Sequence, residues 1–224
     1  MTPRTAWIAG ASGLVGSHCL RLLLARPEYD QVISLVRRPS GVSHPKLQEI
    51  IVDFRDLENL QAPKPDDVFC ALGTTIKKAG SREAFRRVDA GYADALAVKA
   101  AALGAKRFLL VSSVATDPRS PNFYLRVKAE AEAAVAAQPF EMAGMLRPSF
   151  LMGDRAESRL GERIAIPLAR AFAFLLFGPM RIYRAIEAKT VAEAMVGAAL
   201  HAAPGRHIWH YDAMQDWANG LCSG

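Results

Sequence analysis

The sequence predicts an α/β fold, a doubly wound parallel sheet in a single domain with a small C-terminal excursion. Three observations lead there. Short apolar runs alternate with helical patterns from residue 5 onward, the order that builds parallel strands joined by crossover helices. A glycine-spaced turn, Gly10-Ala11-Ser12-Gly13-Leu14-Val15-Gly16, lies between the first strand and the first helix. The chain has 224 residues, of which 51% are hydrophobic, enough for one full core and not the composition of a disordered tail. Residues 1–224 read as one unit, with 153–188 as an excursion within it.

The elements follow in order. Ala6-Trp7-Ile8-Ala9 centres a strand over 5–9, and Ser17-His18-Cys19-Leu20 continuing to Leu24 gives a helix over 13–25. Strands are expected over 31–36, 47–53 and 67–72. The last two carry continuous apolar cores, as parallel strands covered on both faces do. Pro63-Lys64-Pro65 is a loop. A helix over 82–103 stops at Gly104. A strand over 106–112, a helix over 123–137 and a strand over 141–146 complete the alternation. Residues 153–163 form a charged loop, and 164–177 is an apolar stretch that covers the sheet or a dimer face, with a substrate lid or a lipid-touching surface as the sharper reading. Thr190 is placed to cap a helix over 190–202, and a late strand spans 207–211.

Charge and cysteines narrow the function classes. The formal charge is +6, which suits an anionic ligand such as a phosphorylated cofactor. Arg37-Arg38, Lys77-Lys78 and Arg86-Arg87 are scattered pairs and not a dense basic tract, so nucleic-acid binding is not expected. Cys19, Cys70 and Cys222 are far apart and form no C-x-x-C; Cys19 and Cys70 read as core thiols of a reducing compartment. Met1-Thr2-Pro3-Arg4 leads straight into a strand, without a signal peptide. The 164–177 stretch contains Pro167 and Arg170 and is too short to span a bilayer. A cytoplasmic location is expected.

Strand, glycine turn and helix in that order form a dinucleotide-phosphate entry. The glycines permit a tight turn, close backbone approach and close helix packing, and the phosphate sits on the helix N-terminus. The spacing is G-x-x-G-x-x-G, with Ser12, Leu14 and Val15 also in the turn. NAD selection needs an acidic residue at the carboxyl end of the second strand. Asp30 lies at the other end, roughly 23 Å of strand from Arg37 at about 3.3 Å per residue. The strand delivers Arg37 and Arg38 instead, and two guanidiniums there suit a 2′-phosphate. NADP(H) is therefore the expected cofactor. Asp53 and Phe54 close the third strand, at the position that faces the adenine in such folds; otherwise Asp53 is a cap or turn residue. Ala71, Leu72, Gly73 and Thr74 follow the fourth strand in a small-residue turn that lets backbone pass the cofactor riboses.

The fifth strand ends in Ser112-Ser113, and Tyr124 and Lys128 stand four residues apart on the next helix, on one face. Hydride transfer at a carbonyl needs a proton donor, a group that makes the donor acidic and a group that holds the oxygen. Tyr124 fits the first role, Lys128 the second together with a hold on the nicotinamide ribose, and Ser113 the third. Arg147, Pro148 and Ser149 end the sixth strand, where Pro148 fixes backbone beside the nicotinamide. His207 and His210 read as ordinary strand residues and not as metal ligands.

GASGLVGS, LVRRP, VDF, FCALGTT with KAG, FRRVD, LLVSS, FYLRVKAE, LRPSFLMGD and DRAESRLGE together resemble the short-chain dehydrogenase/reductase superfamily, in its atypical branch. The chain looks closest to the Tat-interacting-protein-like oxidoreductases. The resemblance implies a Rossmann fold, a phosphate turn at Gly10, Gly13 and Gly16, a 2′-phosphate site at Arg37 and Arg38, and a catalytic set of Ser113, Tyr124 and Lys128, with Ser112 as a substitute for Ser113. It also implies one departure: where many members carry an Asn that supports a proton relay through water, this chain has Asp89. The expected function is NADPH-dependent reduction of a small carbonyl or quinone-like substrate. The short C-terminal part disfavours a nucleotide sugar and suggests an apolar pocket near Met152, Ile164, Phe172 and Phe174. The alternative is a non-catalytic NADPH-binding protein that reports redox state to a protein partner. Weak membrane-surface contact is a third reading, and a homodimer is an expectation by analogy alone.

Overall fold

The computed structural model describes residues 3–153 and 177–222. Its strands are β1 (Arg4–Ala9), β2 (Tyr29–Val36), β3 (Leu47–Ile51), β4 (Asp67–Cys70), β5 (Arg107–Val111), β6 (Met142–Leu146) and β9 (Gly205–Trp209), which form one parallel sheet in the order β3-β2-β1-β4-β5-β6-β9. A separate parallel pair joins β7 (Leu151–Met152) to β8 (Ile186–Glu187). The order reverses between β1 and β4, so their carboxyl ends flank the crevice where doubly wound sheets bind ligands.

Strand alternation divides the core into two layers. On β1, Ala6 and Ile8 pack under α1 (Leu14–Ala25), α6 (Ala188–His201) and α7 (Tyr211–Cys222), against Cys19, Leu23, Val191, Met195 and Met214. Trp7 and Ala9 face the other way, toward α4 (Tyr92–Ala102) and α5 (Phe123–Ala136), against Leu96, Val127 and Val135. Phe69 and Leu109 join the first layer, and Val68 and Phe108 the second. The period of two that places these residues is the alternation of any strand buried on both faces.

Several boundaries differ from the sequence reading, each for a physical reason. The strand expected over 47–53 is an edge strand ending at Ile51, whose side chain is 65% exposed; its apolar run marks one covered face and not two. The 67–72 strand ends at Cys70. The helix over 82–103 is three pieces: α3 (Arg82–Arg86), a π-helical turn over Arg87–Gly91, and α4. Periodicity cannot reveal one inserted residue, and such π turns gather at functional sites. A one-turn helix, α2 (Ile76–Ala79), precedes them, capped by the Thr75 hydroxyl, which accepts from the Lys78 N–H. Helix α6 starts at Ala188 with Glu187 at its N-cap, so Thr190 lies inside the first turn and is not the cap. The last strand is Gly205–Trp209, and the residues after it form helix α7. Of the 164–177 stretch only Phe177 lies within the described residues, and it is exposed.

At the amino end of the sheet, the fully buried Asp67 joins three strands. Its carboxylate accepts from Tyr29 Oη at 2.7 Å and Arg107 Nη1 at 3.0 Å, and Arg4 Nη1 lies at 3.5 Å. Burial pushes the Asp67 carboxyl up, against the pull of Tyr29 and Arg107.

Candidate active site

The glycine turn is built by close backbone approach. Gly10 has φ +90°, and a Cβ there would lie 2.5 Å from the Ala71 carbonyl oxygen, so the turn after β1 rests against the segment after β4. A Cβ on Gly16 would lie 2.0 Å from the Gly10 carbonyl oxygen, so only glycine lets α1 start this near its strand. The Gly13 N–H donates to the Gly10 carbonyl at 2.9 Å, and Gly13 at the N-cap of α1 supplies no side-chain cap. No acidic side chain occupies the first turn of α1, and Ser12 is exposed beside it. A helix start with free N–H groups and no local carboxylate is a seat for a phosphate.

The next strands extend the cleft. Arg37 and Arg38 follow β2, are exposed, and are unpaired with any carboxylate among the described residues. A cavity of about 360 Å³ is lined by Arg37, Val52, Asp53, Phe54, Arg55 and Tyr92. Phe54 is buried and stacks on Tyr92 with ring centroids 5.5 Å apart. Asp53 is tied to Arg55, whose Nε donates to it at 3.1 Å, and that bond holds the exposed Asp53 carboxyl below its usual range. Arg55 and Tyr92 were not apparent as site residues in the sequence; the D-x-R spacing of Asp53 and Arg55 was the available signal.

At the centre, Lys128 Nζ lies 2.7 Å from Asp89 Oδ1, with both side chains almost wholly buried. The other carboxylate oxygen, Oδ2, accepts the Thr74 N–H at 2.9 Å. The π turn thus lifts Asp89 between the loop after β4 and helix α5. Burial opposes the Lys128 charge, but Asp89 and then Tyr124 outweigh it, and the Lys128 pKa ends above its ordinary value. Gly73 has no side chain to intrude; a Cβ there would stand 3.6 Å from Asp89 Oδ1 and 4.0 Å from Lys128 Nζ.

Tyr124 is in the first turn of α5, where its N–H donates to the capping Asn122 side chain at 2.9 Å. Its half-buried ring lies 5.9 Å from Lys128 Nζ and 5.7 Å from the Phe85 ring. Ser112 is buried, its hydroxyl 3.4 Å from that of Thr116. Thr116 in turn donates to the Ser113 carbonyl at 2.7 Å. The loop between them holds Ala115 at φ +59°, an unfavourable conformation for a residue with a Cβ and one that concentrates at functional sites. Ser113 is half-buried, and its hydroxyl has no partner among the described residues.

The β6 end is braced from behind. Arg147 forms a two-bond pair with Glu132 of α5, at 2.9 and 2.6 Å, so this guanidinium is committed to α5. Pro148 is buried and its carbonyl accepts the Val114 N–H at 2.8 Å. The Ser149 hydroxyl donates to the Arg184 carbonyl. Of the expected apolar pocket, Met152 is half-buried in β7; Ile164, Phe172 and Phe174 lie outside the described residues, as does most of the 153–163 loop. Cys19 and Cys70 are buried core thiols, as expected. Among the described residues no helix is long and apolar enough to cross a membrane, and no cluster of potential metal ligands occurs.

A parallel sheet with a glycine turn at its switch point defines the class: a Rossmann dinucleotide-binding fold. The NAD(P)H-binding family model matches residues 10–163. Protein HTATIP2 of Rattus norvegicus is 38% identical over 170 residues, covering 74% of this chain and 70% of that protein. The mitochondrial protein FMP52 of Meyerozyma guilliermondii is 35% identical over 181 residues, covering 77% and 78%. The chain belongs to this NAD(P)H-binding family, together with its relatives HTATIP2 and FMP52. Among solved structures, MoeE5 in complex with UDP-glucose and NAD has a TM-score of 0.68 at 20% identity, covering 92% of this chain and 75% of its own; that likeness concerns the fold.

Proposed function

We propose that the protein is an NADPH-dependent reductase of a small carbonyl or quinone-like substrate. The observation that carries this reading is the Tyr124 ring 5.9 Å from the buried Lys128 ammonium, at the loop after β4 that also meets the glycine turn at Gly10. The residues fit the dinucleotide. The start of α1 seats its pyrophosphate, the Arg37 and Arg38 guanidiniums meet the 2′-phosphate, and the Asp53, Phe54 and Tyr92 cavity takes the adenine. Ala71, Leu72, Gly73 and Thr74 border the riboses.

When bound, the nicotinamide supplies the hydride. The protein's own residues do the rest. Lys128 holds the nicotinamide ribose with the ammonium hydrogens that Asp89 leaves free, and its charge makes the Tyr124 phenol a better acid. Tyr124 Oη gives a proton to the substrate oxygen as the carbonyl is reduced. Ser113 donates a hydrogen bond to that oxygen and holds it in place. Pro148 and Ser149 shape the wall behind the nicotinamide.

Tyr124→Phe tests the mechanism. NADPH consumption across a panel of aldehydes, ketones and quinones is expected to fall by about a hundredfold or more, with NADPH affinity unchanged. Undiminished turnover in Tyr124→Phe overturns the assignment. Tight NADPH binding with no turnover on any of the panel favours the second reading, a cofactor-reporting regulatory protein, for which the carboxylate paired to Lys128 is the supporting observation.

A further inference from the structure

We propose that Asp89 is a positioning residue that fixes the Lys128 ammonium against the β4 loop and offsets its positive charge at Tyr124. The inference rests on the Tyr124 and Lys128 roles proposed above.

Three observations carry it. Asp89 is not on a regular helix: it sits in the π turn over Arg87–Gly91, which carries it inward to 2% exposure. Its two oxygens take two partners from two elements, Lys128 Nζ of α5 at 2.7 Å and the Thr74 N–H at 2.9 Å. A neutral Asn would keep the hydrogen bond to Thr74 through its carbonyl oxygen but could not balance the ammonium. The carboxylate in direct contact pairs with the ammonium in a buried, weakly screened place.

The consequence concerns protons. The titratable groups around the pair are Tyr124, one turn away on α5, and the Cys70 thiol at the end of β4. Burial pushes Cys70 up to about 11, so it stays neutral over the working range. The Lys128 ammonium and the Tyr124 phenol then lie beside one carboxylate, 2.7 Å from the ammonium. That charge favours the state in which both protons are held. Removing it brings the first deprotonation to lower pH, whether the proton leaves the phenol or the ammonium.

The test is Asp89→Asn, read by tyrosinate absorbance during pH titration of the cofactor-free protein, with the Tyr124→Phe trace subtracted. This signal needs neither substrate nor turnover, so it separates failure of this inference from failure of the reductase reading. The first deprotonation is expected to move down by about one pH unit or more, since one unit is the effect of a charge still roughly 12 Å away at an effective dielectric of about 20. If a substrate is found, the high-pH limb of kcat/KM for reduction moves down with it. Lys128→Gln, which removes the cation and leaves Asp89, is expected to move the Tyr124 signal upward, and it serves if Asp89→Asn does not fold. An unshifted titration in the folded Asp89→Asn protein, or in Lys128→Gln where only that variant folds, overturns the proposal and leaves Asp89 a brace between α5 and the β4 loop.

Discussion

Cofactor choice is decided by single residues. Arg37 follows β2 and lines the cavity with Asp53, Phe54 and Tyr92, and Arg38 is the next residue. The Asp53 carboxylate in that cavity is already committed to Arg55. Replacing Arg37 and Arg38 together by Ala is expected to weaken NADPH binding by tenfold or more, as loss of charge-assisted bonds to a phosphate does, while NADH binding stays within about twofold. Titration of each nucleotide by protein fluorescence checks this; an unchanged NADPH-to-NADH ratio refutes the 2′-phosphate assignment. At this scale the sequence was readable wherever chemistry is tied to spacing, as with Tyr124 and Lys128. It was mute on pairings that bring distant segments together. Nothing local announces that Asp89 meets Lys128, that Arg147 is held by Glu132, or that Tyr92 reaches Phe54, because each contact spans a crossover.

Elements explain which local rules survived. The glycine turn was legible because backbone approach leaves an imprint in sequence: no other residue tolerates an Ala71 oxygen 2.5 Å from its Cβ position at Gly10, or a Gly10 oxygen 2.0 Å away at Gly16. The π turn was not legible, since α3, the turn and α4 share one apolar stripe through Phe85, Ala93, Leu96 and Ala97. Helix α7 did leave a signal, since Met214, Ala218 and Leu221 stand at i, i+4 and i+7, the spacing of an amphipathic helix. These differences divide the glycines. Gly16→Ala forces a methyl into backbone and is expected to cost about 3 kcal/mol or prevent folding, the upper range for overpacking. Gly91→Ala meets nothing within 4 Å and has helical φ and ψ, so it is expected to be neutral or to stabilise by up to about 1 kcal/mol. Urea midpoints of the two variants make the comparison, and equal losses would mean that the close approach at Gly16 is not what the position is for.

The whole molecule keeps its stability and its chemistry at opposite ends of one sheet. Every proposed cofactor contact lies at the carboxyl ends of the strands, a consequence of parallel order that strand–helix alternation already implied. The amino ends carry the Asp67 network, which ties Tyr29 of β2, Arg4 of β1 and Arg107 of β5 to one buried carboxylate. Because burial wins over those partners and leaves the Asp67 carboxyl raised, the network is a poor source of net stability against an apolar replacement. Breaking it from one side is another matter, since the arginines are then left without their charge partner. Asp67→Asn is expected to destabilise the fold by about 3 kcal/mol, the low end for a broken buried pair because Arg4 and Arg107 remain partly solvated. The same variant is expected to bind NADPH as tightly as the parent at temperatures where both are folded, because no cofactor contact passes through that end. Denaturant unfolding and nucleotide titration on one preparation test both halves. A weaker NADPH affinity in the folded variant would mean that strand register, and not only the loops above it, transmits strain from one edge of the sheet to the other.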